Sequence, residues 1–168
     1  MDYIHKYKSP LGTIVIASDG EALTGLWFEG QKYFASTLDT DNTEGSLPVF
    51  AEADKWLDVY FSGSDPGFVP KISMRGTDFR KSVWEILLKI PFGETMTYGQ
   101  IAAKLAEAKG PRRVSARAVG NAVGHNPISL IVPCHRVVGS DGRLTGYAGG
   151  IDRKAVLLKM ESAGTEFD

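Results

Sequence analysis

The apolar pattern of this chain changes character partway along, and that change limits what it can fold into. Thr13-Ile14-Val15-Ile16-Ala17 is a short apolar run, Asp19-Gly20 is a turn signal, and Ala22-Leu23-Thr24-Gly25-Leu26-Trp27-Phe28 is a second run. Two such runs across a tight turn predict a β-hairpin. Residues 36–48 are polar and read as loop. Then Val49, Ala53, Trp56, Leu57 and Tyr60 fall at helical spacing, and Ser62-Gly63-Ser64-Asp65-Pro66-Gly67 ends that helix and reads as a linker.

Beyond the linker the pattern is mostly helical. Thr77 or Asp78 can cap a helix carrying Phe79, Val83, Trp84, Leu87 and Ile90, which Pro91-Phe92-Gly93 stops. Thr97 and Gln100 have the spacing of a capping box, opening a helix with Ile101, Ala102, Leu105 and Ala106 on one side. After the basic loop Lys109-Gly110-Pro111-Arg112-Arg113-Val114, residues 115–124 read as a second short helix. Helix, loop, helix of this size is compatible with a helix-turn-helix or with an ordinary helical hairpin. The expected fold is therefore α/β (α+β), with a small domain over residues 1–75 and a mainly helical domain over residues 76–168.

Charge divides the same way. Residues 1–75 carry 6 Lys and Arg against 11 Asp and Glu, and residues 76–168 carry 13 against 9, so the net −1 splits into −5 and +4. The basic second domain suits an anionic partner such as DNA. No apolar run is long enough to span a membrane, and Met1-Asp2-Tyr3-Ile4-His5-Lys6 lacks the features of a signal peptide. The expected location is cytoplasmic.

The chain has one cysteine, and a histidine follows it: Pro133-Cys134-His135-Arg136. A lone thiol makes neither an internal disulfide nor a thiolate zinc site. Its chemical value is as a nucleophile whose proton a neighbouring imidazole can draw off. The apolar lead-in Ile128-Ser129-Leu130-Ile131-Val132 and the polar exit Val138-Gly139-Ser140-Asp141-Gly142 place it where a buried segment surfaces. A small buried hydrophobe is the other reading of such a cysteine.

The stretch Ile131-Val132-Pro133-Cys134-His135-Arg136-Val137-Val138 resembles the active-site signature of the O6-alkylguanine-DNA alkyltransferases, in their bacterial form. The resemblance continues through Gly146-Tyr147-Ala148-Gly149-Gly150 and Leu157-Leu158-Lys159-Met160-Glu161, and upstream through Asn126-Pro127, Arg117-Ala118-Val119-Gly120 and Thr97-Tyr98-Gly99-Gln100. Ser9-Pro10-Leu11-Gly12 fits the family's opening less specifically. The resemblance implies a ribonuclease-H-like N-terminal domain and a C-terminal domain with a helix-turn-helix. It also implies irreversible, single-turnover transfer of an alkyl group from O6-alkylguanine, or O4-alkylthymine, to the cysteine, after minor-groove binding and base flipping.

Residue by residue, the resemblance makes Cys134 the nucleophile, His135 the base acting through a water, and Glu161 the carboxylate that holds the imidazole. Asn126 ties the second helix to the active-site loop. Tyr98 lies against the DNA backbone and can donate a proton toward the departing guanine. Arg117 inserts into the base stack from a helix of small residues, with Ser115, Ala116, Ala118, Gly120, Asn121 and also Arg136 as DNA contacts. Tyr147, Ala148 and Gly149, with Val137, Val123 and Ser129, are expected to line the pocket for the flipped base. Many members carry serine where this chain has Ala148. No metal and no cofactor is implied. The partner is double-stranded DNA containing O6-alkylguanine, and the protein is expected to be monomeric, with cooperative binding along DNA left open. The role of the basic loop is open as well.

Other readings remain at this point. An alkyltransferase-like lesion-binding protein keeps the groove and pocket without transfer activity. An acyl-transferring cysteine enzyme needs an oxyanion hole that nothing outside the Cys-His pair suggests. A plain transcription factor leaves the Cys-His-Glu set unused.

Overall fold

The computed structural model describes residues 1–109 and 113–163. Gly110, Pro111 and Arg112 of the basic loop lie outside the described residues.

The expected hairpin forms one side of a four-stranded sheet. Strands β1 (Asp2–Ser9), β2 (Gly12–Ser18) and β3 (Leu23–Phe28) run antiparallel in sequence, and β4 (Asn42–Glu44) adds parallel to β1, giving the order β3-β2-β1-β4. β1 and β4 are additions to the hairpin the sequence suggested. β4 falls within the segment read as loop, because its residues are all exposed and carry no apolar pattern. One face of β2 and β3 buries Ile14, Ile16, Leu26 and Phe28 against α1 (Pro48–Phe61), whose Val49, Phe50, Ala53, Trp56, Leu57 and Tyr60 form the facing stripe.

The second half follows the capping chemistry. α2 (Asp78–Leu87) starts at Thr77, whose hydroxyl accepts from Arg80 N at 3.2 Å. β5 (Met96–Thr97) leads into α3 (Tyr98–Lys109), where the capping box closes both ways: Gln100 N donates to Thr97 Oγ1 at 3.0 Å and Thr97 N donates to Gln100 Oε1 at 2.9 Å. α4 (Ala116–Gly124) is capped by Ser115, whose Oγ accepts from Ala118 N at 3.1 Å. α3 and α4 pack on each other and on α2. Buried Trp84 of α2 donates its indole N–H to Ala122 O of α4 at 2.8 Å. A 3₁₀ turn (Cys134–Arg136) runs into β6 (Val137–Val138), which pairs parallel with β5, and α5 (Ile151–Ala163) closes the described chain.

The two halves share backbone hydrogen bonds. Leu26 N in β3 donates to Pro127 O at 2.8 Å, and Ser129 N returns a bond to Leu26 O at 2.9 Å, so the segment before the cysteine extends the β3 edge. Leu130 then reverses the chain with φ +69°, a left-handed conformation that costs a non-glycine residue about 1–2 kcal/mol. Its complete burial and the bonds on either side, Ile131 N to Ser129 O at 2.8 Å and Val132 N to Ile128 O at 3.1 Å, hold it there. Arg153 of α5 adds a clasp, donating to Leu11 O and to Gly149 O at 3.0 Å each while its guanidinium lies over the Phe28 ring.

Candidate active site and DNA-facing cleft

The 3₁₀ turn carries Cys134, His135 and Arg136, all buried, with Cys134 3% exposed and His135 fully enclosed. Glu161 of α5 meets them from behind. Its carboxylate accepts four hydrogen bonds: His135 Nε2 at 2.5 Å and Tyr60 Oη at 2.5 Å on Oε2, and Arg136 Nε at 2.7 Å and Gly93 N at 3.2 Å on Oε1. A carboxylate can only accept, so Nε2 of the neutral imidazole carries the ring proton. The other nitrogen, Nδ1, is buried and has no hydrogen-bond partner among the described residues, and its lone pair is the base the turn offers.

Electrostatics follow from these bonds. Burial alone would raise Glu161, but His135 and Arg136 outweigh it and hold the carboxyl well below the usual range. Burial pushes the Cys134 thiol up to about 11, against stabilisation from the Asn126 amide, the Lys154 ammonium and the N–H groups of Cys134 and His135. Burial also keeps His135 below its ordinary value, although Glu161 pulls the other way. The resting pair is therefore neutral thiol and neutral imidazole. Desolvation opposes charge on both partners, while Glu161 favours the imidazolium and the Asn126–Lys154 side favours the thiolate.

Asn126 is buried between the end of α4 and the segment that leads to Cys134. Its Nδ2 donates to Val132 O at 2.8 Å and its Oδ1 accepts from Ile128 N at 3.0 Å, joining the end of α4 to the strand before Cys134. Lys154, fully buried on α5, donates to Val137 O at 2.5 Å and Thr145 O at 3.0 Å, which fixes the loop after the cysteine.

Next to this network lies an open cleft of about 660 Å³. One wall is α4, through Ala116, Arg117, Gly120 and Asn121; another is the loop Thr145, Gly146, Tyr147 and Ala148; Tyr98 stands between them. Tyr98 Oη accepts from Thr145 Oγ1 at 3.0 Å, which leaves its own proton to donate. Gly149 lets the loop pass close under this ring: a Cβ on it would meet the Tyr147 ring at 2.5 Å. The N-terminal domain supplies the far rim, Lys32 and Tyr33, with Tyr33 stacked on His125 at a ring separation of 4.0 Å. His125 has no partner in the sequence pattern, yet it is part of the cleft.

Several expectations are corrected or refined. Arg136, grouped with the DNA contacts, is 8% exposed and bonds Glu161 and Ile90 O, so its cation is spent inside the protein. Val123, Ser129 and Val137 are buried and do not line the open cleft. Ser115 and Ala118 border a smaller depression with Arg80 on the opposite flank of Arg117. The first half, which showed no chemical constellation in sequence, contributes Tyr60, a residue whose helical spacing reads as core. Lys154, in the second half, was not singled out in the sequence.

This arrangement is an alkyltransferase fold. The crystal structure of Mycobacterium tuberculosis OGT in complex with DNA superposes with a TM-score of 0.86 at 42% identity, over 98% of this chain and 95% of that one. The O6-methylguanine-DNA methyltransferase of Pyrococcus kodakaraensis strain KOD1 superposes with a TM-score of 0.65 at 27% identity, over 96% and 99%. Residues 3–69 match the ribonuclease-like domain, and residues 78–163 the DNA binding domain, of 6-O-methylguanine DNA methyltransferase. The chain belongs to that family. It is 45% identical over 168 residues to the methylated-DNA--protein-cysteine methyltransferase of Mycobacterium tuberculosis, covering 100% of this chain and 97% of that protein. Against the protein of the same name from Methanosarcina acetivorans the figures are 44% over 163 residues, 96% and 99%.

Proposed function

We propose that this protein repairs DNA by moving an alkyl group from O6 of guanine to Sγ of Cys134, once per molecule. The observation that carries the reading is the buried chain Cys134–His135–Glu161 beside a cleft walled by α4. The thiol proton passes to Nδ1 of His135, through a bridging water as in the family, and Glu161 holds the resulting imidazolium. The thiolate attacks the alkyl carbon, the S–C bond forms, the C–O6 bond breaks, and its electron pair leaves with guanine. Tyr98 is the candidate to hand the departing base a proton. The thioether has no labile bond, so the protein is spent.

The DNA partner is duplex bearing an O6-alkylguanine. α4 enters the minor groove, Arg117 fills the gap left by the flipped base, and Tyr147 with the backbone of Ala148 and Gly149 receives it. The exposed, small-residue surface of α4 supports this: Ser115, Ala116, Arg117, Ala118 and Asn121 are all exposed. Domains of residues 1–75 and 76–168, a monomer and a cytoplasmic location complete the reading. None of the described helices is long and apolar enough to cross a membrane.

The test is a duplex carrying a single O6-methylguanine, mixed with increasing protein. The lesion should disappear in proportion to protein added, one for one. Turnover beyond one equivalent would refute the suicide mechanism. Tight, lesion-selective binding with no loss of the methyl group would favour the lesion-binding alternative.

A further inference from the structure

We propose that Tyr60 of α1 is a positioning residue of the proton-transfer chain: its hydroxyl shares Glu161 Oε2 with His135 and so sets how strongly the carboxylate holds the imidazole. The assignment rests on the roles of Cys134, His135 and Glu161 proposed above.

Tyr60 is fully buried, and its ring is clamped on several sides. Trp56 stacks on it at 5.1 Å and 14°, Phe92 meets it edge-on at 6.1 Å, and the His135 ring meets it at 6.3 Å and 65°. The hydroxyl thus has one place to be: 2.5 Å from Glu161 Oε2 and 3.3 Å from His135 Nε2. Burial first, then the negative charge of Glu161, pushes the phenol well above its ordinary value, so it stays a donor at neutral pH. Of the donors on the carboxylate, Tyr60 alone comes from the ribonuclease-like region, residues 3–69.

Two donors on one oxygen compete. Each O–H or N–H draws charge from Oε2 and weakens the bond of the other. With the tyrosine hydroxyl present, the carboxylate pulls less hard on the imidazole, and Nδ1 is less basic than it would be opposite a free Oε2. The other groups facing His135 are Arg136 and Cys134 from the 3₁₀ turn, Lys154 from α5 and Tyr147 from the cleft loop. Replacing Tyr60 by Phe changes none of them and keeps the ring that packs.

The experiment uses the full chain with Tyr60→Phe and with 3,5-difluorotyrosine, a stronger donor, placed at the same position. The first readout is the downfield proton resonance of His135 Nε2–H, which needs no activity. It should move further downfield in Tyr60→Phe and upfield with difluorotyrosine. The second is the pH dependence of single-turnover transfer from free O6-benzylguanine. Its acid limb should move to higher pH in Tyr60→Phe, by roughly half a unit of the about one unit that a single hydrogen bond exerts on a carboxylate. Binding to unmodified duplex should be unchanged. A resonance and an acid limb that stay in place would overturn the proposal, as would a uniform fall in rate without a shift. That result would make Tyr60 a packing residue only. If the resonance responds as stated while the wild-type protein never alkylates Cys134, the Tyr60 assignment stands and the transfer reading fails.

Discussion

Glu161→Gln is the most informative single substitution, because this carboxylate ties together the buried network and, in the proposed reaction, holds the imidazolium. Its side chain is 1% exposed, and its side-chain partners are similarly enclosed, the imidazole of His135 at 0% and the guanidinium of Arg136 at 9%. Breaking a buried ion pair by neutralising one partner typically costs 3–5 kcal/mol, since the other charge stays buried without compensation. Here Arg136 keeps Ile90 O at 2.8 Å and the amide oxygen of the new glutamine, so the lower figure applies, about 3 kcal/mol. For a chain of 168 residues that is a fall in Tm of roughly 6–12 °C at neutral pH. The amide that faces Oε2's former donors is itself a donor, so the imidazole must turn its acceptor nitrogen to it and place the proton on Nδ1. That tautomer cannot take a proton from Cys134, and transfer should slow about a hundredfold or more.

The pH dependence carries the sign. Glu161 is held below its ordinary value in the fold, so its stabilisation is full above the unfolded value near 4.5 and is lost as pH falls below it. His135 is also held low, so the unfolded chain takes up its proton first, and stability falls from about 6.5 downward by the same rule. Glu161→Gln removes the first contribution. Thermal melts from pH 7.5 to 4 should therefore fall less steeply in the variant below pH 5 than in the wild type. A Tm within about 2 °C of wild type with an unchanged transfer rate would refute the reasoning.

Other expectations are narrower. Cys134→Ala should abolish alkyl transfer yet retain duplex binding in a gel-shift titration; loss of binding as well would make the thiol structural. Arg117→Ala should slow repair in duplex far more than reaction with free O6-benzylguanine, and equal losses on both would count against base flipping. Gly149→Ala drives a methyl toward the Tyr147 ring, so it should reduce single-turnover transfer on both substrates and lower the unfolding free energy by about 1–3 kcal/mol in denaturant titration. Thr97→Ala removes half the capping box of α3 and should cost about 1 kcal/mol in denaturant unfolding, with transfer retained.

What was legible in the sequence had local causes. α1, α2 and α3 follow from apolar spacing, from Thr77 and from the Thr97–Gln100 box, and the caps each act within one turn. β1 was harder: apart from buried Asp2 its residues are half-buried or exposed, with little continuous apolar signal. The site divides the same way. The Cys-His dipeptide is contiguous, and Glu161 was recognised through family spacing. Arg136 was grouped with the DNA contacts, since nothing in its neighbours along the chain shows the cation already paired. Only the tertiary meeting of the 3₁₀ turn with α5 shows its charge satisfied by Glu161. Tyr60, 101 residues from Glu161 along the chain, reaches the site by domain packing, and nothing in its local pattern separates it from the core residues around it.

The central claim is that Cys134 accepts the alkyl group. Intact-protein mass spectrometry after incubation with a duplex holding one O6-methylguanine, followed by peptide mapping, tests it directly. The account requires a gain of one methyl per chain, located on the peptide bearing Cys134, with no further gain on longer incubation. An unchanged mass in folded, reduced protein that binds the same duplex, or a methyl found on any other residue, would contradict it.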